Sequence, residues 1–160
     1  MSKQLLFVCT GNTCRSPMAE ILLRAALPVD AGWTVASAGV SATPGSRASE
    51  YACAAVAELG LSLEKHRSQL VTPELVNRAT VVVAMTQRHI EKLLQRIPEV
   101  RDRLYLMRSF DPKAPKGADV MDPFCGSLDD YRACRDTLQQ AIPGLVRFLT
   151  GGGRGCLEKE

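Results

Sequence analysis

The chain has 160 residues, 46% of them hydrophobic, which suits one domain built around one substantial core. Its net charge of +3 comes from 20 basic and 17 acidic residues spread along the chain, without the block of like charge that marks a nucleic-acid-binding arm. The first residues lack a signal-peptide pattern and no stretch approaches the ~18 consecutive apolar residues that span a bilayer, so the expected location is cytoplasmic, with no membrane or nucleic-acid partner.

In chain order, Gln4 to Cys9 (QLLFVC) is an apolar run suited to a strand buried on both faces. After the loop TGNTC, Ser16 and Pro17 predict a helix start, with Ser16 as cap and the helix running to about Ala26. Trp33 to Ala38 predicts a second strand, Gly39 to Ser46 a loop, and Arg47 to Leu59 a helix ended by Gly60. Thr72 to Ala79 predicts a short helix. The β-branched run Thr80 to Met85 predicts a third strand, Thr86 to Arg96 a helix and Leu104 to Met107 a fourth strand. Leu128 to Leu149 is a long helical pattern in which Pro143 is expected to interrupt. Ser109 to Ser127 lacks regular signals, and residues 150–160, beginning TGGGRG, are expected to form a disordered tail after a single domain spanning 1–149. Strands that alternate with helices predict a three-layer α/β fold: a four-stranded, mainly parallel sheet with helices on both faces. Ligands of such sheets bind beyond the carboxyl ends of the strands, where Cys9 lies.

Cysteines at 9, 14, 53, 125, 134 and 156 form no Cys-x-x-Cys pair and have no histidine partners at zinc spacing, so neither a metal nor another cofactor is expected. Cys53 and Cys134 fall in helical patterns and are read as core residues.

The segment Cys9-Thr10-Gly11-Asn12-Thr13-Cys14-Arg15-Ser16 sets a cysteine and an arginine with five residues between them, between a strand and a helix start. A loop wrapped at a helix N-terminus turns backbone N–H groups inward and makes a site for a tetrahedral oxyanion. Gly11 is expected to take unusual backbone angles, and Asn12 to tolerate a left-handed one while bonding nearby backbone. Arg15 adds a planar fork of donors for two phosphate oxygens. In that positive setting Cys9 is expected to be a thiolate nucleophile, with Ser16 donating a hydrogen bond to the sulfur. A Cys-x5-Arg spacing alone is weak; the flanking strand and Ser-Pro start give it weight. Transfer of a phosphoryl group also calls for a general acid facing the nucleophile. Asp122, in Val120-Met121-Asp122-Pro123-Phe124, is that candidate, with Pro123 fixing its direction and Phe124 walling the pocket. Taken alone, Asp122 reads as an ordinary Asp-Pro turn.

With these motifs in view, the sequence resembles the low-molecular-weight protein tyrosine phosphatase family through VCTGNTCRSPMAE (Val8 to Glu20), SAG (Ser37 to Gly39) and DPF (Asp122 to Phe124), over about residues 3–149. The resemblance implies a metal-free reaction through a phosphocysteine on Cys9, with phosphorylated proteins as substrates. Asp122 then protonates the leaving group and activates the water that hydrolyses the intermediate. It also implies that His66 supports the loop at Asn12. His89, on a helix read as exposed, receives no role. Thr13, and a DPFCGS segment similar to the DPFGGS of the bacterial arginine phosphatases but for Cys125, resemble that branch rather than the tyrosine-specific one, whose members carry an aliphatic residue at the position of Thr13 and a second aromatic near that of Cys125. A phosphoarginine phosphatase is therefore expected, with a tyrosine phosphatase as the alternative. Cys14 is a candidate redox partner for Cys9. An arsenate reductase of the same fold would need two relay cysteines, and Cys125 and Cys134 are badly spaced for that. A phosphoprotein-binding module would have no use for Cys9 and Asp122 together. Oligomeric state is not legible.

Overall fold

The structure, a computed structural model, describes residues 3–151. Strand β1 (Lys3–Cys9) lies at the centre of a sheet of order β2-β1-β3-β4, with β2 at Trp33–Gly39, β3 at Val81–Ala84 and β4 at Leu104–Leu106. All pairings are parallel, and Cys9 stands opposite Gly39 at the carboxyl end. Because side chains alternate along a strand, β1 feeds two cores. Leu5, Phe7 and Cys9 face helices α1 (Arg15–Ala26), α2 (Glu50–Ala57) and α5 (Leu128–Leu149). Leu6 and Val8 face α3 (Pro73–Arg78) and α4 (Gln87–Arg96). Each fully buried Phe or Leu of this kind contributes about 1.5–3 kcal/mol, so the strand that carries the cysteine is among the most firmly held parts of the molecule. The expected three-layer α/β architecture is present, and among the described residues no helix is long and apolar enough to cross a membrane.

Several boundaries differ from expectation, each for a local physical reason. Helix α1 begins at Arg15 with Cys14 as its cap residue and no side-chain cap. Ser16 is not the cap, because its hydroxyl is turned to Cys9 and Asn12. Helix α2 starts three residues later than predicted, at Glu50, since the Ser49 hydroxyl accepts the Ala52 N–H and sets the start there. Gly60 follows its C-terminus with φ +78°, the conformation expected of it. Pro143 does not interrupt α5. The buried residues Ile142, Leu145 and Leu149 continue the helix through the proline, and Gly144 lies so close to the Phe110 carbonyl that a Cβ there would overlap it. Two 3-10 helices, Pro98–Arg103 and Met107–Phe110, lacked any periodic signal in the sequence. Cys134 is buried as expected, whereas Cys53 is only half-buried at the core's edge. Thr150 and Gly151 close α5, and residues 152–160 of the expected tail, with Cys156, lie outside the described residues.

Gly39 ties the sheet to the loop after β1. A Cβ there would strike the Thr10 carbonyl oxygen and come within 3.0 Å of the Asn12 nitrogen, both of them backbone atoms. Gly39→Ala should therefore lower stability by about 1–3 kcal/mol in urea unfolding and weaken binding of inorganic phosphate. Unchanged values for both would show that the strand and the loop are not in register-setting contact.

Candidate active site

The loop from Cys9 to Arg15 is shaped by hydrogen bonds that hold its carbonyl groups from outside. The Cys9 carbonyl accepts the Val40 N–H at 2.9 Å, Thr10 accepts Ser41 N–H at 3.0 Å, and Thr13 accepts Ser49 N–H at 2.9 Å. The Asn12 carbonyl accepts His66 Nε2–H at 2.8 Å. In a trans peptide the N–H points opposite to the C=O, so the N–H groups of Thr10, Gly11, Thr13 and Cys14 turn away from those partners, toward the interior of the loop. The N-terminus of α1 adds its dipole at the same place. This arrangement suits a tetrahedral anion.

Asn12 is fully buried at φ +57°, the left-handed conformation anticipated for it. Gly11 does not take a positive φ, contrary to expectation: the turn's unusual angle falls on Asn12, whose side chain compensates with three bonds. Its Oδ1 accepts the Gln69 N–H, and its Nδ2 donates to Ser16 Oγ at 2.8 Å and Ser37 Oγ at 2.9 Å. Ser16 Oγ, which accepts from Asn12, lies 2.8 Å from Cys9 Sγ, placed to donate its proton to a Cys9 thiolate, and the Asn12 N–H also reaches that sulfur at 3.2 Å.

Burial pushes the Cys9 thiol up, while the Ser16 hydroxyl, the Ser16 and Asn12 N–H groups and the Arg15 guanidinium each pull it down. This corrects the expectation of a net lowering: at 2% exposure the loss of solvent outweighs the donors aimed at the sulfur. The Cys14 sulfur lies 3.3 Å from the Tyr131 hydroxyl and donates to Ser49 Oγ at 3.5 Å. Both Cys9 and Cys14 are free thiols. Burial and the bond to Cys14 push the Tyr131 hydroxyl up to about 12.

Arg15, 5% exposed, donates to the Val120 carbonyl at 3.0 Å and stands 3.4 Å from Asp122 Oδ2. Val120 also donates its N–H to the Met85 carbonyl beyond β3, so this loop is clamped two residues before Asp122. Asp122 Oδ1 accepts the Phe124 N–H across Pro123, which directs the carboxylate back over the loop. Cys9 through Arg15, Asp122 and Phe124 line one pocket of about 160 Å³. Among the described residues no cluster of His, Cys, Asp or Glu is arranged to hold a metal ion.

His89 was missed. It is 3% exposed rather than on an open face, and its Nε2 lies 2.8 Å from Thr10 Oγ1. The amphipathic pattern of α4 and a histidine three residues after Thr86 give no sign of this contact, which depends on how α4 packs beside the loop.

This is the architecture of phosphatases that work through a phosphorylated cysteine. The chain belongs to the low molecular weight phosphotyrosine protein phosphatase family, whose model matches residues 4–152. It is 42% identical over 150 residues to a protein-arginine-phosphatase of Geobacillus stearothermophilus, covering 93% of this chain and 97% of the relative. The solved YwlE arginine phosphatase from Geobacillus stearothermophilus superposes with a TM-score of 0.84 at 41% identity, covering 93% and 94% of the two chains. A cysteine-to-serine mutant of YwlE arginine phosphatase, solved with a phosphorylated active site serine, gives a TM-score of 0.82 at 36% identity, with 91% and 95% covered.

Two predictions arise here. Ser16→Ala removes a donor to the sulfur, which disfavours the thiolate, so the pH midpoint of Cys9 alkylation by iodoacetamide should rise and its rate at pH 7 should fall. An unmoved midpoint would take the Ser16 hydroxyl out of the account. Separately, Cys125 sits at φ +65° without the conformational freedom of glycine. Cys125→Gly should stabilise the protein by up to about 1 kcal/mol, seen as a rise in Tm of roughly 2–4 °C. A lower Tm would mean that the thiol makes contacts worth more than the strain.

Proposed function

We propose that this chain is a cytoplasmic protein arginine phosphatase, a single domain over residues 1–149, in which Cys9 is the nucleophile, Arg15 binds the phosphoryl oxygens and Asp122 is the general acid. The observation that carries the reading is the convergence of Cys9, the inward N–H groups, Arg15 and Asp122 on one pocket. Cys9, once deprotonated, attacks phosphorus from below. The P–N bond breaks as the S–P bond forms, and the Asp122 carboxyl proton passes to the departing guanidino nitrogen. Water then attacks the phosphocysteine, giving a proton to Asp122 and releasing phosphate and the Cys9 thiolate. Arg15 and the loop N–H groups stabilise the charge on the equatorial oxygens in both steps.

The arginine preference rests on the pocket wall. Thr13 places a hydroxyl there that, among the described residues, contacts only the Cys14 sulfur at 3.7 Å, so it is available to a polar guanidinium. On the other side Phe124, 68% exposed, stands without a second aromatic beside it, since Cys125 occupies the next position. The relatives named as arginine phosphatases support the same choice.

Phosphate release from matched phosphoarginine and phosphotyrosine peptides tests the mechanism and the preference together. Wild type should favour phosphoarginine, Cys9→Ser should be inactive on both, and Thr13→Ile should shift the ratio of kcat/KM toward phosphotyrosine by about tenfold or more. Wild-type preference for phosphotyrosine would instead make the chain a tyrosine phosphatase of the family, and release that survives Cys9→Ser would end the cysteine mechanism.

A further inference from the structure

His89 belongs to no motif of the reaction, yet it joins the helix on one side of the pocket to the first residue after the nucleophile. Thr86, the cap of α4, accepts the His89 backbone N–H on its Oγ1 at 3.2 Å. The same oxygen lies 3.0 Å from His89 Nδ1, and His89 Nε2 lies 2.8 Å from Thr10 Oγ1. The Thr86 hydroxyl oxygen already accepts the backbone N–H, and its proton can be donated to His89 Nδ1, the arrangement a relay to Thr10 requires. A neutral imidazole that accepts at Nδ1 carries its own proton on Nε2. In that tautomer the Nε2 proton is donated to Thr10 Oγ1, and the Thr10 hydroxyl proton is left over. Thr10 is exposed and lines the pocket.

The surroundings keep the ring neutral. Burial pushes His89 down to about 4, the positive charges of Arg15 on α1 and Lys92 on α4 add to this, and Asp119 and Asp122 on the acid-bearing loop oppose it. A protonated ring would lose the acceptor that fixes the chain's direction. The backbone of Thr10 is held separately, through its carbonyl and Ser41 N–H, so the imidazole acts on the hydroxyl alone.

We propose that His89 is a positioning residue: through the chain Thr86 to His89 to Thr10 it orients the Thr10 hydroxyl so that its proton is presented to an anion bound in the loop. The relay supplies one more donor to the phosphoryl oxygens, fixed from a different helix than the rest. It rests on the reading of this pocket as a phosphoryl site.

The probe is inorganic phosphate, titrated into the full chain. Thr10→Val and His89→Leu should each weaken phosphate binding by roughly three- to tenfold, the value of one hydrogen bond. The double variant should be no weaker than the weaker single variant. His89→Gln, whose amide N–H reaches toward Thr10, should recover most of the affinity, which a loss of packing alone would not allow. Nitrogen NMR of the wild-type protein with labelled histidine should show His89 protonated at Nε2 at pH 7, a result that needs no variant to fold. Protonation at Nδ1, additive losses in the double variant, or phosphate affinity unchanged in Thr10→Val would each overturn the relay. A wild-type protein that shows the relay but releases no phosphate from peptides would count against the proposed reaction and leave the relay standing.

Discussion

The site depends on the outward pinning of the loop's carbonyl groups. Four of them, on Cys9, Thr10, Asn12 and Thr13, accept hydrogen bonds from Val40, Ser41, His66 and Ser49. None of those donors belongs to the loop itself; they come from the end of β2, the residue capping α2 and the segment after it. An isolated loop with so many N–H groups turned to one point would leave its carbonyls to water and its shape unfixed. Here the scaffold satisfies the carbonyls, so the N–H groups are oriented before any anion arrives, and binding need not reorganise them. The close approach of Gly39 to the Thr10 carbonyl belongs to the same constraint, because only a residue without a Cβ lets β2 come near enough to donate.

A second consequence is the coupling of the two halves of the site through Arg15. Its guanidinium is committed at one nitrogen to the Val120 carbonyl and stands beside Asp122 with another. Arg15 is thus both a donor to the pocket and the bracket that keeps the loop bearing Asp122 over it. A lysine could offer one point of charge but not hold both ends. The main chain at Val120 is in turn tied to Met85, just past the strand beside β1, so Cys9 and Asp122 are referred to one sheet.

The fold was legible to the extent that hydrophobic pattern and punctuation residues decide it. The four strands and five helices were placed within a few residues, since β1 is apolar on both faces, Thr72-Pro73-Glu74 marks a helix start and Gly60 a helix end. What escaped were features set by tertiary contact. Ser16 has the chemistry of a cap and is used as a donor to sulfur. Pro143 has the chemistry of a break and is carried through by buried neighbours. Gly11 seemed to be the residue needing conformational freedom, while Asn12 takes the strained angle because its amide gains three partners by doing so. The two histidines make the same point. His66 was placed by family resemblance, and His89 was missed because only the packing of α4 brings it to Thr10. The Cys9 thiol was misjudged because neighbouring charges can be read from a motif and desolvation cannot.

The two loops that meet at the pocket are built to opposite ends. The loop after β1 is anchored by buried residues, Asn12, Cys14 and Arg15, and its left-handed residue is an asparagine bound on every side. The loop carrying Asp122 is clamped at Val120 and then opens: Met121 is 80% exposed, Asp122 is half exposed, and a left-handed cysteine with no comparable set of bonds follows at 125. Few buried contacts and a strained residue place this segment at the low-stability end of the molecule. That difference suits the chemistry. Charge stabilisation requires donors that do not move, whereas a carboxyl that serves first as acid and then as base must adjust from a leaving nitrogen to an incoming water. On the proposed mechanism, rigidity is therefore concentrated where the phosphoryl group would sit, and the freedom to follow the reaction is left to the loop bearing Asp122.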